Sequence, residues 1–193
     1  SFPTRRSSDL SWGTTMYSIA SQLVDKKLKG VQVVQLKGGL SHTHISTYAS
    51  EVNKLFTNAF HANGRSLPLP LIFDTPELKK ITEKDSHINQ IIQMGKQANI
   101  AIFSVGTVKD DALLFRLGYF NKEEIKSIQD HAVGDVCSRF FNNKGEICDE
   151  KINSRIVGIE LDELKKKEQT ILVAGGERKI DALNVALTSK IAK

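Results

Sequence analysis

The chain has 193 residues, 40% hydrophobic and 25% charged, with a formal net charge of +5. That composition suits one globular domain with a substantial core and argues against a disordered or fibrous chain. The basic residues are spread rather than striped, unlike a DNA-reading surface, two cysteines make neither a disulfide framework nor a zinc site, and no apolar run reaches the length of a membrane helix.

The opening stretch, SFPTRRSSDL, is polar and basic and has no period of 2 or 3.6. It reads as a leader, tag or artefact over residues 1–10, carrying Arg5 and Arg6, and the domain is placed at 11–193. Met16, Ile19, Ala20, Leu23 and Val24 then fall at helical spacing, with Thr14 and Thr15 at the helix start and Gly30 as its stop. VQVVQL is a strand with Lys37 at its C-terminal tip. A long helix is predicted from about Ser46 to Gly64. Pro68 and Pro70 make LPLPLIF an edge strand or a linker, and Pro76 marks a helix start behind an Asp or Thr cap. Ile88, Ile91 and Ile92 mark the next helix.

ANIAIFSVGT is a buried strand ending on Gly106, followed by two short helices over 107–131. VGDVCSRFF, NNKG and EICD read as strand, turn and strand. RIVGIEL is a further strand, DELKKK a short helix, and TILVAGG the last strand. The final helix places Ile180, Leu183 and Leu187 on one face. Alternating strands and helices, joined by connections too long for hairpins, predict an α/β domain: a Rossmann-like parallel sheet flanked by helices.

Ligands of open parallel sheets collect outside the carboxyl ends of the strands. Four of those ends carry glycine beside polar residues: Gly13-Thr14-Thr15, Lys37-Gly38-Gly39, Gly106-Thr107 and Gly175-Gly176. Glycine admits close approach to the backbone, and a helix start with free N–H groups suits an anion. The edge is therefore a candidate site for a small phosphorylated or carboxylated ligand. The dinucleotide fingerprint and the P-loop are both absent. His42 and His44 lack a carboxylate or thiol at a metal-binding spacing, so no metal site and no cofactor are expected.

Five ordered motifs, SWGTT, LKGG, AVGDVCSRFF, NSRIVGIEL and ILVAGGERK, give a resemblance to the effector-binding domain of SorC-type bacterial transcription regulators, from about Ser11 to the C-terminus. That resemblance implies a fold related to glucosamine-6-phosphate deaminase and ribose-5-phosphate isomerase, and a sugar-phosphate inducer. It implies a phosphate held by Gly13, Thr14 and Thr15, with Lys179 beside it. Lys37 faces the ligand, and Gly38, Gly39, Thr47, Tyr48, Gly106, Arg116 and Asp135 are implied around it. In the branch of the family nearest to this sequence, the lysine forms a Schiff base with the aldehyde of deoxyribose 5-phosphate.

On that reading the chain is not an enzyme but the sensor of a cytoplasmic, homo-oligomeric repressor of a deoxynucleoside catabolic operon. Operator DNA would be met only through a helix-turn-helix that this sequence lacks, and the C-terminus is expected to be truncated. The competing expectation is an isomerase-, deaminase- or aldolase-like enzyme of the same fold, because class I aldolases also use a Schiff-base lysine. In the family a strand precedes the Gly-Thr-Thr turn, and PTRRSSDL is poor strand material for that slot.

Overall fold

The computed structural model of the protein describes residues 7–41 and 43–192. A central all-parallel sheet is built first. Strand β1 (Ser7–Leu10) leads into helix α1 (Thr14–Ala20), then strand β2 (Gln32–Gln35), helix α2 (Ala49–Phe60) and strand β3 (Asn63–Arg65). Helices α3 (Pro76–Glu83) and α4 (Ser86–Gln97) follow, then strand β4 (Ile100–Phe103) and the short strand β5 (Val105–Gly106). Next come α5 (Leu113–Arg116), α6 (Lys122–His131), β6 (Gly134–Val136), β7 (Arg139–Phe141), α7 (Glu150–Asn153) and α8 (Leu161–Lys165). Strand β8 (Gln169–Leu172), a 3₁₀ turn (Glu177–Lys179) and α9 (Ile180–Thr188) complete the order.

Among the described residues, five strands form the parallel sheet in the order β3-β2-β1-β4-β8, and β5-β6-β7 form a small antiparallel sheet. The α/β class and the parallel sheet expected from the sequence are therefore present. The sheet has core on both faces. Ala101 and Phe103 belong to one apolar cluster with Val136 and Ala186, while Ile102 between them packs with Leu10, Val33 and Phe56 of another. Alternate residues of one strand point to opposite sides, so both sides must be covered.

The reading of residues 1–10 as a segment outside the fold is corrected for its last four. Ser7–Leu10 form the central strand, paired in parallel with Gln32–Gln35 on one side and with Ile100–Ile102 on the other. Leu10 is 1% exposed. A strand flanked on both sides draws on ladder hydrogen bonds that even poor β-formers supply, so context overrides propensity. Arg5, Arg6 and His42 lie outside the described residues.

Other boundaries shift for similar reasons. The first helix stops at Ala20 rather than Gly30, leaving Val24 exposed. The second starts at Ala49 and stops at a left-handed His61, and Asn63–Arg65 become the edge strand β3. Thr75 is the cap before Pro76, accepting from Leu78 N. ANIAIFSVGT divides at Ser104, where the chain leaves the large sheet for the small one. RIVGIEL is not a strand of either sheet: it makes isolated bridges, Ile156 to Ile72 and Gly158 to Lys37. EICD keeps only the bridge from Ile147 to Phe141. On α9 the buried residues are Ala182 and Ala186, whereas Ile180 and Leu187 are exposed, because small side chains let the helix approach the β5-β6 sheet closely.

The order of the large sheet reverses at β1. The chain runs outward through β2 and β3 on one side, then crosses to β4 and β8 on the other. The crevice outside the carboxyl ends of β1 and β4 is thus the switch point at which such sheets hold ligands.

Candidate functional site

A cleft of about 340 Å³ opens at that switch point. Gly13, Thr14 and Thr15 reach it from the end of β1, Ser104, Gly106 and Thr107 from β4 and β5, and Gly175 and Gly176 from the end of β8. Leu113, Leu114 and Arg116 of α5 form a further wall, and Lys37, Asp135 and Lys179 complete the charged groups. Three of the four glycine-marked strand ends thus converge on one space. Gly13 is in the region favoured by glycine (φ 121°), where it turns the chain from β1 into α1.

Lys37 is buried, 4% exposed, at the floor. Its Nζ donates to Ser138 Oγ at 2.8 Å and lies 3.8 Å from the centroid of the Trp12 ring. The indole is fixed in turn, since Trp12 Nε1 donates to the Gly38 carbonyl at 2.9 Å. Burial holds the Lys37 amine below its usual value, against the pull of the nearby Asp135. Burial likewise pushes the Asp135 carboxyl up, against the pull of Lys37. Desolvation is the largest cause for both groups, so both drift toward their neutral forms. An unprotonated amine is what attack on an aldehyde requires.

Asp135 is held by the turn that follows it. Cys137 and Ser138, both with positive φ, join β6 to β7, and Ser138 N donates to Asp135 Oδ2 at 2.8 Å. A Cβ on Gly106 would lie 1.9 Å from Asp135 Oδ1, so glycine there leaves room for the carboxylate. Cys137 is fully buried and its thiol is pushed up to about 12, which keeps it protonated and unreactive. At the other end of the cleft Lys179 Nζ donates to Thr15 Oγ1 at 2.8 Å and to Ser104 Oγ at 3.1 Å. An ammonium, two hydroxyls and the first amides of α1 therefore share one corner. Arg178 forms an exposed two-pronged ion pair with Asp111, 2.5 Å on each arm, and both residues line the cleft.

The structure separates the remaining expected residues from the cleft. Gly38 and Gly39 do not line it. A Cβ on Gly38 would meet the Pro70 carbonyl oxygen at 2.0 Å, and one on Gly39 would meet Ala49 Cβ at 2.6 Å and the Gln35 amide at 2.7 Å. The space beside these two glycines is taken by neighbouring protein. Thr47 is buried and donates to the Gly39 carbonyl at 2.8 Å, facing a second hollow. Tyr48 stacks on Tyr17 at 4.6 Å. Sequence reasoning assigned no ligand role to Trp12, Ser138, Ser104, Asp111 or Arg178. Trp12 adjoins the Gly-Thr-Thr turn, a usable signal, but Ser138 lies 101 residues from Lys37 and nothing local links them.

Among the described residues no cluster of His, Cys, Asp and Glu has the makings of a metal site, and no helix is long and apolar enough to cross a membrane.

A family model for a sugar-binding domain matches residues 9–193. The chain belongs to that sugar-binding family. This sugar-binding domain is 57% identical over 183 residues to the deoxyribonucleoside regulator of Bacillus subtilis strain 168, covering 95% of the chain and 58% of the relative. It is 26% identical over 184 residues to the sorbitol operon regulator of Klebsiella pneumoniae, covering 92% of the chain and 57% of that protein. The chain thus spans about half the length of the curated relatives it matches. Among solved structures, a domain of a possible sugar-binding transcriptional regulator from Arthrobacter aurescens TC1 superposes with a TM-score of 0.86 at 27% identity, over 97% of this chain and 73% of that one. The full-length sorbitol operon regulator SorC of K. pneumoniae shares the fold, with a TM-score of 0.87 at 20% identity over 97% and 61% of the two chains.

Proposed function

We propose that this domain is the effector sensor of a transcriptional repressor, and that its effector is a sugar phosphate bearing an aldehyde, deoxyribose 5-phosphate. The observation that carries the proposal is a buried lysine amine and an anion-suited corner in the same cleft. The resemblance to a deoxyribonucleoside regulator supports the pentose.

The phosphate sits against Thr14, Thr15 and Lys179, which brings the open-chain aldehyde carbon to Lys37. The Nζ lone pair adds to C1, and a nitrogen proton passes to the new hydroxyl. Asp135, whose carboxyl is pushed up by burial, donates a proton as that hydroxyl leaves as water. A Schiff base remains, and the regained carboxylate faces its charge. Occupancy acts by binding two arrangements of the whole protein unequally. The readout is release of operator DNA held by a separate domain of a cytoplasmic homo-oligomer. The doubly covered parallel sheet supports kinship with the glucosamine-6-phosphate deaminase and ribose-5-phosphate isomerase fold.

One observation favours a second reading. Asp135 beside an amine supplies the acid–base partner that an aldolase-like enzyme needs. Incubation with deoxyribose 5-phosphate followed by borohydride, with intact mass and peptide mapping, tests both. A single reduced adduct on Lys37 without acetaldehyde release is the expected outcome. Steady acetaldehyde formation selects the enzyme, and absence of any adduct refutes the covalent sensor.

A further inference from the structure

Two neighbours hold the Lys37 amine, and the imine chemistry accounts for neither. Ser138 Oγ accepts one N–H at 2.8 Å. The Trp12 ring lies under the nitrogen at 3.8 Å, with its orientation locked by the bond from Nε1 to the Gly38 carbonyl. Trp12 is 5% exposed and lines the cleft beside the Gly-Thr-Thr turn. A ring needed only to fill the core has no reason to present its face to a buried amine.

Amine and product differ in ways such a face can distinguish. The free amine, neutral or protonated, is tetrahedral and compact, and it carries two or three N–H bonds in search of acceptors. Among the described contacts only the Ser138 hydroxyl accepts one of them. The protonated imine is planar, keeps one N–H and spreads its charge over nitrogen and carbon. One acceptor is enough for it, and a flat cation stacks face to face on an indole as a guanidinium does. With water excluded, a cation over tryptophan gains more than at a wet surface.

We infer that Trp12 is the cationic platform of this site, a residue that favours the planar protonated imine on Lys37 over the free amine, with Ser138 fixing the remaining N–H. The inference rests on the amine–aldehyde reading of the cleft but not on the identity of the sugar. It extends to aldehydes as a class, with or without a phosphate.

The test uses formaldehyde, which needs no phosphate corner. The amine adds to formaldehyde, water leaves, and the resulting iminium is reduced by cyanoborohydride to an N-methyl group that peptide mapping assigns. Because the chain holds one tryptophan, its fluorescence reports on this nitrogen before any reductant is added. In the wild type, Lys37 should methylate ahead of the surface lysines, and formaldehyde alone should quench the emission. Trp12→Leu should lower Lys37 methylation about tenfold relative to the surface lysines, and Trp12→Phe should fall between. The surface lysines are the internal control for a general loss of folding, and the wild-type fluorescence needs no variant.

Equal Lys37 methylation in folded Trp12→Phe and wild-type protein, emission unchanged by formaldehyde, or no Lys37 methylation in the wild type would each overturn the platform. A parallel sample with deoxyribose 5-phosphate separates the two proposals. Trp12-dependent methylation by formaldehyde without a sugar adduct keeps the platform and removes the sugar phosphate.

Discussion

Replacing Arg139 with methionine tests how the amine is held in place. Arg139 is fully buried. Its Nε donates to the Ile159 carbonyl, and its two terminal nitrogens donate to the carbonyls of Asn153, Ile156 and Gly158 and to Asn153 Oδ1. Glu160 pairs with it at 2.8 Å but is itself 41% exposed. The segment gathered in this way carries Gly158, which bridges to Lys37, and Ile159 N, which donates to the Leu36 carbonyl.

Methionine fills much of the same volume and leaves four backbone carbonyls without these donors. Each such loss costs about 1–3 kcal/mol if the carbonyl stays dry. Partial relaxation toward water makes about 4 kcal/mol a reasonable total. A domain of this kind is stable by about 5–15 kcal/mol, so the urea midpoint should drop by more than about 1 M. Glu160→Gln is the control: an exposed partner of this kind is worth under about 1 kcal/mol, and its midpoint should barely move. Arg139→Lys retains the charge with fewer donors and should fall between. A loss under about 1 kcal/mol for Arg139→Met, or an equal loss for Glu160→Gln, would refute the view that the guanidinium works by organising carbonyls.

Three further outcomes are expected. Ser138→Ala removes the acceptor of the Lys37 amine at a cost of about 1 kcal/mol, so the protein should stay folded while borohydride trapping at Lys37 slows; unchanged trapping rates would show that the hydroxyl does not aim the amine. Burial depresses Lys37 below 10.5, so between its folded and unfolded values the unfolded chain binds more protons and stability rises with pH, by about 1.4 kcal/mol per unit of depression. Lys37→Met should lose that rise, and parallel stability–pH curves for the two proteins would contradict it. Gly38→Ala forces a Cβ against the Pro70 carbonyl and should lower the melting temperature sharply, whereas Gly175→Ala meets nothing within 4 Å and should not; matching melting temperatures would dispose of the packing role.

The sequence by itself determined the class of fold and one rim of the site. Period-2 and period-3.6 patterns give the alternation of strand and helix, and glycine beside polar residues marks Gly13–Thr15, Gly106 and Gly175–Gly176, which do meet in one cleft. These signals are local, so they survive without coordinates. The resemblance added Asp135 and Lys179 and gave Lys37 a role, and all three line that cleft.

Tertiary structure alone decided the rest, because it depends on which segments become neighbours. SSDL is a weak strand in isolation and the central strand once β2 and β4 flank it. Gly38 and Gly39 look like ligand glycines until the backbone of Pro70 and the side chain of Ala49 occupy their space. Ser138 reaches Lys37 through a left-handed turn more than a hundred residues away in the chain, and Trp12 becomes part of the site only because its ring faces that same nitrogen. Spacing along a chain carries no information about such contacts. They are fixed when burial of the shared core brings the strand ends together.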